Sequence, residues 1–116
     1  MTRFLRRVRS GVLLVEGAIG TRLLQAGLRP GPELDAVPLT RPGLLLRLHE
    51  ESREAGAGAL KTHTFALRGT GPEARRRLEA AVRIARRVAG RSGFVLGSLG
   101  PLPGLERRAG WLADAG

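Results

Sequence analysis

The sequence predicts an α/β protein built on a parallel sheet, and three observations carry that expectation. Short apolar runs of strand length occur at residues 12–15 and 94–96, and residues 59–65 form a further strand-length segment that starts apolar. Longer stretches with apolar residues at helical spacing lie between and after them, and Gly or Pro marks nearly every junction. The resulting order, strand, helix, strand, helix, strand, helix, is that of βαβ units joined by right-handed crossovers.

Residues 2–10 read as a basic lead-in of short helical character, with Phe4, Leu5 and Val8 on one side and Gly11 as the breaker. Val12, Leu13, Leu14 and Val15 form an unbroken apolar run, the pattern of a strand buried on both faces. Residues 20–26 hold a short helix stopped by Gly27. Residues 28–39, with Pro30, Gly31, Pro32 and Pro38, form a loop. Thr40 is placed to cap the next helix, with Pro42 in its first turn, where a missing N–H costs nothing. Leu44, Leu45, Leu48 and Ala55 lie along its apolar side, and Gly56 closes it. Residues 59–65 form the second strand, with the polar residues bunched at its C-terminal end. Thr70-Gly71-Pro72-Glu73 has the form of a capping box. It opens the clearest helix, whose face carries Leu78, Ala81, Val82, Ala85, Val88 and Ala89 and which Gly90 ends. Phe94, Val95 and Leu96 form the third strand, and residues 105–115 a last helix carrying Trp111.

Composition bounds the function. The chain has 116 residues, 42% of them hydrophobic and 26% charged, which suits one globular domain and not a disordered chain. It contains no Cys, so a thiolate metal site, a disulfide or a Cys nucleophile cannot be built from these residues. Twenty Lys and Arg against ten Asp and Glu give a net charge of +10, yet Lys61 is the only lysine. So arginine-heavy a balance reflects compositional bias as readily as a polyanionic partner. The apolar run at residues 12–15 is too short to span a bilayer or to serve as a secretory signal, so a cytoplasmic protein without a membrane partner is expected.

Six segments in order resemble the homocysteine S-methyltransferase family. Glu16-Gly17-Ala18-Ile19-Gly20-Thr21 resembles the D-G-A/G-M-G-T that ends its first strand, and Leu39-Thr40-Arg41-Pro42 its N-L-T-R/K-P. Leu48-His49-Glu50 through Glu54-Ala55-Gly56-Ala57 resembles I-H-x-x-Y-x-x-A-G-A-D, and Thr62-His63-Thr64-Phe65 stands where E-T-N-T-F is expected. Ala81-Val82-Arg83-Ile84-Ala85-Arg86 resembles A-V-x-L-A-R, and Val95-Leu96-Gly97-Ser98-Leu99-Gly100-Pro101 resembles V-A-G-S-I-G-P. The likeness runs from about Val12 to Pro101, and the order of the motifs carries more weight than any one of them.

The resemblance implies a (β/α)8 TIM barrel, a fold that takes about 250 residues. Residues 12–116 would then be about its first three βα units, cut before the fourth strand, behind a lead-in at residues 1–11. It implies zinc-dependent transfer of a methyl group from a donor to the thiol of homocysteine, forming methionine, with the zinc on three Cys thiolates. Those cysteines have no counterpart here, so this chain alone is expected to bind no zinc and to be inactive. Carried over by position, Glu16 would face the substrate's ammonium, while Gly17 and Ala18 offer backbone N–H groups to its carboxylate. Thr62 and His63 complete the substrate-binding set, His63 replacing the family's Asn as a hydrogen-bonding group. Two departures bear on binding: Glu16 is one methylene longer than the family's Asp, and Lys61 replaces a Glu, which inverts the local field around an ammonium.

Other chemistries lack their patterns. His49-Glu50 is not followed by a His at position 53, which is Arg, so the zinc-protease motif is absent. No phosphate-binding glycine loop and no G-x-S-x-G elbow occur. Two alternatives remain at this level. A three-strand sheet, with Leu13, Val15, Leu60 and Val95 assigned to its inner face, would leave that face and both edges open, favouring self-association or a non-catalytic docking module. The arginines Arg75, Arg76, Arg77, Arg83, Arg86, Arg87 and Arg91 could instead track nucleic-acid phosphates, but the chain has few aromatics for stacking bases.

Overall fold

Helices dominate the molecule, and a small parallel sheet organises them. The computed structural model describes residues 1–116. Its elements are α1 (Arg3–Arg9), α2 (Ile19–Gln25), α3 (Pro32–Asp35), α4 (Val37–Thr40), α5 (Pro42–Glu54), β1 (Ala59–Lys61), α6 (Pro72–Ala89), β2 (Phe94–Leu96) and α7 (Leu105–Ala115). The two strands run parallel, pairing Ala59 with Phe94, Leu60 with Val95 and Lys61 with Leu96.

The first predicted strand survives as a single parallel bridge between Val15 and Ala59. Around it, the Glu16 N–H donates to the Ala59 carbonyl at 2.9 Å and the Gly58 N–H to the Leu14 carbonyl at 2.9 Å. Residues 12–15 are thus strung along one edge of β1. They are not buried on both faces, since Val12 is 82% exposed and Leu14 and Val15 are about half exposed. A continuous apolar run marks a doubly covered strand only where something lies on each side, and here one edge and one face are open.

The assignment of Leu60 and Val95 to an open inner face is also corrected. Both point toward the helices, where Leu60 clusters with Ala57 and Ala89 while Val88 and Val95 pack alongside. Side chains alternate along a strand, so Ala59, Lys61, Phe94 and Leu96 take the opposite face. There α1 closes part of the sheet: Phe4 meets Phe94 edge-on at 5.3 Å, and the Arg3 guanidinium lies 4.1 Å above the Phe94 ring. The basic lead-in is therefore docked rather than loose.

Local capping differs from the sequence expectation at two helices. Thr40 ends α4, donating its hydroxyl to the Ala36 carbonyl at 3.1 Å, and Arg41 takes the N-cap position of α5. Gly71, not Thr70, is the N-cap of α6, and Glu73 turns outward to pair with Arg76 and Arg77. Pro in the first turn does the work at both helices, because its ring pre-sets φ and its absent N–H needs no cap. The expected loop at 28–39 contains the short helices α3 and α4, which bring Leu34 and Val37 into the core.

Two helical clusters complete the interior. Ile19, Leu23, Leu28, Leu34, Val37, Leu45 and Leu48 join α2 through α5. Leu67, Ala74, Leu78, Val82 and Trp111 join α6 to α7. The face predicted for α6 is the one buried, Val88 excepted, and it extends to Ala74 and Ala80. Gly90 ends the helix at φ +64°, a conformation that a side chain would strain.

Candidate functional site

A cavity of about 320 Å3 opens where the strands end. Its walls come from three strand ends at once: residues 18–21 follow the Val15 bridge, residues 61–66 leave β1, and Ser98 follows β2, with Leu34 of α3 closing one side. Parallel strands that finish together leave their connecting loops on one rim, which is where α/β folds hold their ligands.

The rim is tied by hydrogen bonds between those loops. The Thr64 hydroxyl donates to the Ser98 carbonyl at 2.6 Å, and the Ser98 N–H donates to Thr62 Oγ1 at 3.0 Å. With its own hydrogen committed, Thr64 Oγ1 accepts from the Thr62 hydroxyl at 2.7 Å. Thr62 and Thr64 are both buried, so each hydroxyl serves to join the end of β1 to the end of β2. Gly100 continues the seam: a Cβ there would run into the Phe65 carbonyl oxygen, so only glycine lets the two loops meet.

His63 lines the cavity with a defined tautomer. A carbonyl can only accept, so Nε2–H donates to the Leu34 carbonyl at 2.8 Å and Nδ1 is left as an acceptor. Burial holds the His63 pKa below the usual histidine value, outweighing the Leu34 bond and the nearby Asp35, so the neutral ring is favoured. Asp35 is shifted the other way, its carboxyl raised above the ordinary range by burial and only partly steadied by His63, Arg77 and Arg68.

Glu16 lies inside rather than at the rim. Its side chain and that of His49 are both fully buried, and His49 Nδ1–H donates to the carboxylate at 2.7 and 2.9 Å. The Lys61 N–H adds a bond to Oε1 at 3.0 Å. One carboxylate therefore fastens the first strand segment, β1 and α5 to one another. Both of its oxygens are engaged by the protein, and it borders a neighbouring depression formed by residues 14–17 with Arg22, Glu51 and Ser52. The opposite ring nitrogen, His49 Nε2, is buried without a partner.

The site residues expected from the sequence thus separate. Ala18, Thr62 and His63 line the cavity, whereas Glu16 and Gly17 border the depression beside it. Lys61, Thr64, Phe65 and Ser98 belong to the same cavity wall and were outside the expected set. His49 was the residue most fully missed. The available signal was its position four residues after Leu45 on the buried side of α5, where a His needs a polar partner inside.

The donor set does not fit a metal centre. The chain has no Cys, and nowhere do three His, Asp or Glu side chains gather closely enough to hold an ion. Nor is any helix long and apolar enough to cross a membrane. Of the arginines of α6, Arg75, Arg76 and Arg77 are paired with Glu79 or Glu73.

Comparison with known proteins agrees with the motif order. No curated protein sequence matches the chain. A family model described as homocysteine S-methyltransferase matches residues 13–108, which takes in the Val15 bridge, both strands and every residue of the cavity wall. The chain belongs to the homocysteine S-methyltransferase family.

Proposed function

We propose that the cavity at the strand ends is a homocysteine-binding site and that the chain contributes substrate binding to methyl transfer onto the homocysteine thiol. One observation carries this reading: the loops after three parallel strand segments converge on one cavity within a region matched by the methyltransferase family. On this reading the three segments and their helices correspond to about the first three βα units of an eight-fold barrel, residues 12–116, with residues 1–11 as a docked lead-in. Ala18 offers its backbone N–H to the bound amino acid, Phe65 and Ile19 cover its aliphatic arm, and neutral His63 presents Nδ1 as an acceptor. Thr62 acts on the site by holding Ser98 in place, and Glu16 by holding the turn at Gly17 against β1. A zinc centre would need thiolates from outside these 116 residues.

Titration of the chain with homocysteine under reducing conditions, followed by calorimetry, tests the proposal. Saturable one-to-one binding that weakens in His63→Ala is expected; heat of dilution alone would end it. A second reading, association of the chain through the open edge at residues 12–15, is favoured by the exposure of Val12, Leu14 and Val15. Sedimentation velocity separates the two, since a concentration-independent monomer contradicts association.

A further inference from the structure

We infer that the cavity selects its ligand by the ligand's carboxylate, with Lys61 as the specificity-determining residue, and that it does not require an α-ammonium group. The inference rests on the proposed homocysteine site and narrows the class of molecule that site accepts: short thiols or thioethers carrying a carboxylate, with or without an amino group.

Lys61 and His63 are the only titratable residues in the cavity wall, and no carboxylate stands there. Glu33 and Asp35 flank Leu34 in sequence without lining the wall, and Glu16 has its side chain fully buried and is engaged by His49 and by the Lys61 backbone. Asp35 lies close enough to His63 for their charges to interact, but it is not part of the wall. An ammonium entering the cavity would meet a like charge and no carboxylate to offset its lost hydration.

Lys61 has the opposite need. It is half-buried at the end of β1, on the sheet face away from Leu60, and its ammonium has neither an ion-pair nor a hydrogen-bond partner in the chain. None of the six ion pairs of the molecule includes it. A lysine without an anionic partner beside a concave, mainly apolar wall is a receptor for one carboxylate. Thr62 and Thr64 are committed to each other and to Ser98, so the acceptors left for an ammonium are neutral ones, His63 Nδ1 and the Thr21 and Ser98 hydroxyls, and none is charged. Ile19, Leu34 and Phe65 remain to pack an aliphatic chain.

Three homocysteine relatives test this by calorimetry on the full chain at pH 7.5: 4-mercaptobutanoate, which lacks the amino group; 3-mercaptopropylamine, which lacks the carboxylate; and butanoate, which lacks both thiol and amine. The mercaptobutanoate is expected to bind within about three-fold of homocysteine and the aminothiol at least about ten-fold more weakly. Lys61→Gln, with an unchanged melting temperature, should weaken all three carboxylates by about ten-fold or more, and Lys61→Arg should restore part of the loss. Equal binding of the aminothiol, a ten-fold loss on removing the amino group, or indifference to Lys61→Gln would each overturn the inference. If homocysteine fails to bind while butanoate binds in a Lys61-dependent way, the homocysteine reading falls and the carboxylate inference stands. Silence from all four ligands overturns both.

Discussion

Replacing Glu16 by Leu should unfold the molecule more readily than any surface change. The carboxylate receives His49 Nδ1–H at 2.7 and 2.9 Å and the Lys61 N–H at 3.0 Å, with neither acidic nor imidazole side chain exposed. Leu fills a similar volume but accepts nothing. His49, whose Nε2 is already without a partner, then has no bond from either ring nitrogen, and the Lys61 N–H is orphaned as well. Removing one member of a buried pair costs about 3–5 kcal/mol. We expect about 4 kcal/mol, a large share of the roughly 6–17 kcal/mol that about 0.05–0.15 kcal/mol per residue gives for a chain of this length. At roughly 4 °C per kcal/mol the melting temperature should fall by about 15 °C. His49→Leu should also cost about 3–5 kcal/mol, since it strands the carboxylate instead. The double variant should lose about 2 kcal/mol or less, because two apolar side chains can pack where neither polar one is left alone. Urea unfolding of the four proteins gives the coupling directly. A Glu16→Leu cost below about 1 kcal/mol, or single costs that simply add, would refute the claim that this pair locks strand, sheet and helix together.

Three further outcomes follow from the same geometry. Gly100→Ala should cost about 1–3 kcal/mol and disturb homocysteine binding, because its Cβ meets the Phe65 backbone, which cannot swing aside; thermal melts at constant pH report it. Leu45→Ala, at a fully buried position in the largest apolar cluster, should cost about 2–5 kcal/mol by urea unfolding without altering ligand specificity. His63 contributes a pH dependence of defined sign: with its folded pKa below 6.5, the unfolded chain binds the proton more readily between those two values. Stability should therefore hold above pH 6.5 and decline as the pH falls through that window, with a shallower decline in His63→Gln; a decline of the same steepness would contradict the burial of the ring.

Much of the fold was legible in the chain because its signals are local. Helical spacing over the long α6, and the glycine that ends it, required no knowledge of neighbours. The parallel order of strands followed from alternation with helices and appears as the pairing of Ala59 with Phe94. What could not be read was which side each apolar residue faces. Leu60 and Val95 were assigned to an open inner face and instead pack on α6, since alternation sets the two faces of a strand apart without saying which one meets a helix. The run at residues 12–15 carries the composition of a buried strand, yet its burial depends on neighbours that this chain does not place there. Capping failed for a related reason: Thr40 and Thr70 have the right chemistry, but Pro42 and Pro72 start their helices without it.

The site was legible at the level of segments and less so at the level of atoms. Motif order placed residues 16–18 and 62–63 at strand ends, and the cavity stands among those loops. The role of each side chain depended on long-range partners. Glu16 looked like a group for the substrate until His49, thirty-three positions away, was seen to hold it. Thr62 looked like a ligand contact, and its hydroxyl is shared between Thr64 and Ser98. Lys61 drew notice only as a reversed charge, and its meaning comes from the lack of any acid beside it in the cavity wall.

The most direct test is a map of backbone amide shifts as homocysteine is added to the labelled chain. Perturbations confined to residues 18–21, 61–66 and Ser98, the three loops that wall the cavity, are expected. Shifts that instead fall along the arginines of α6 or at residues 12–15, with those loops unmoved, would contradict it.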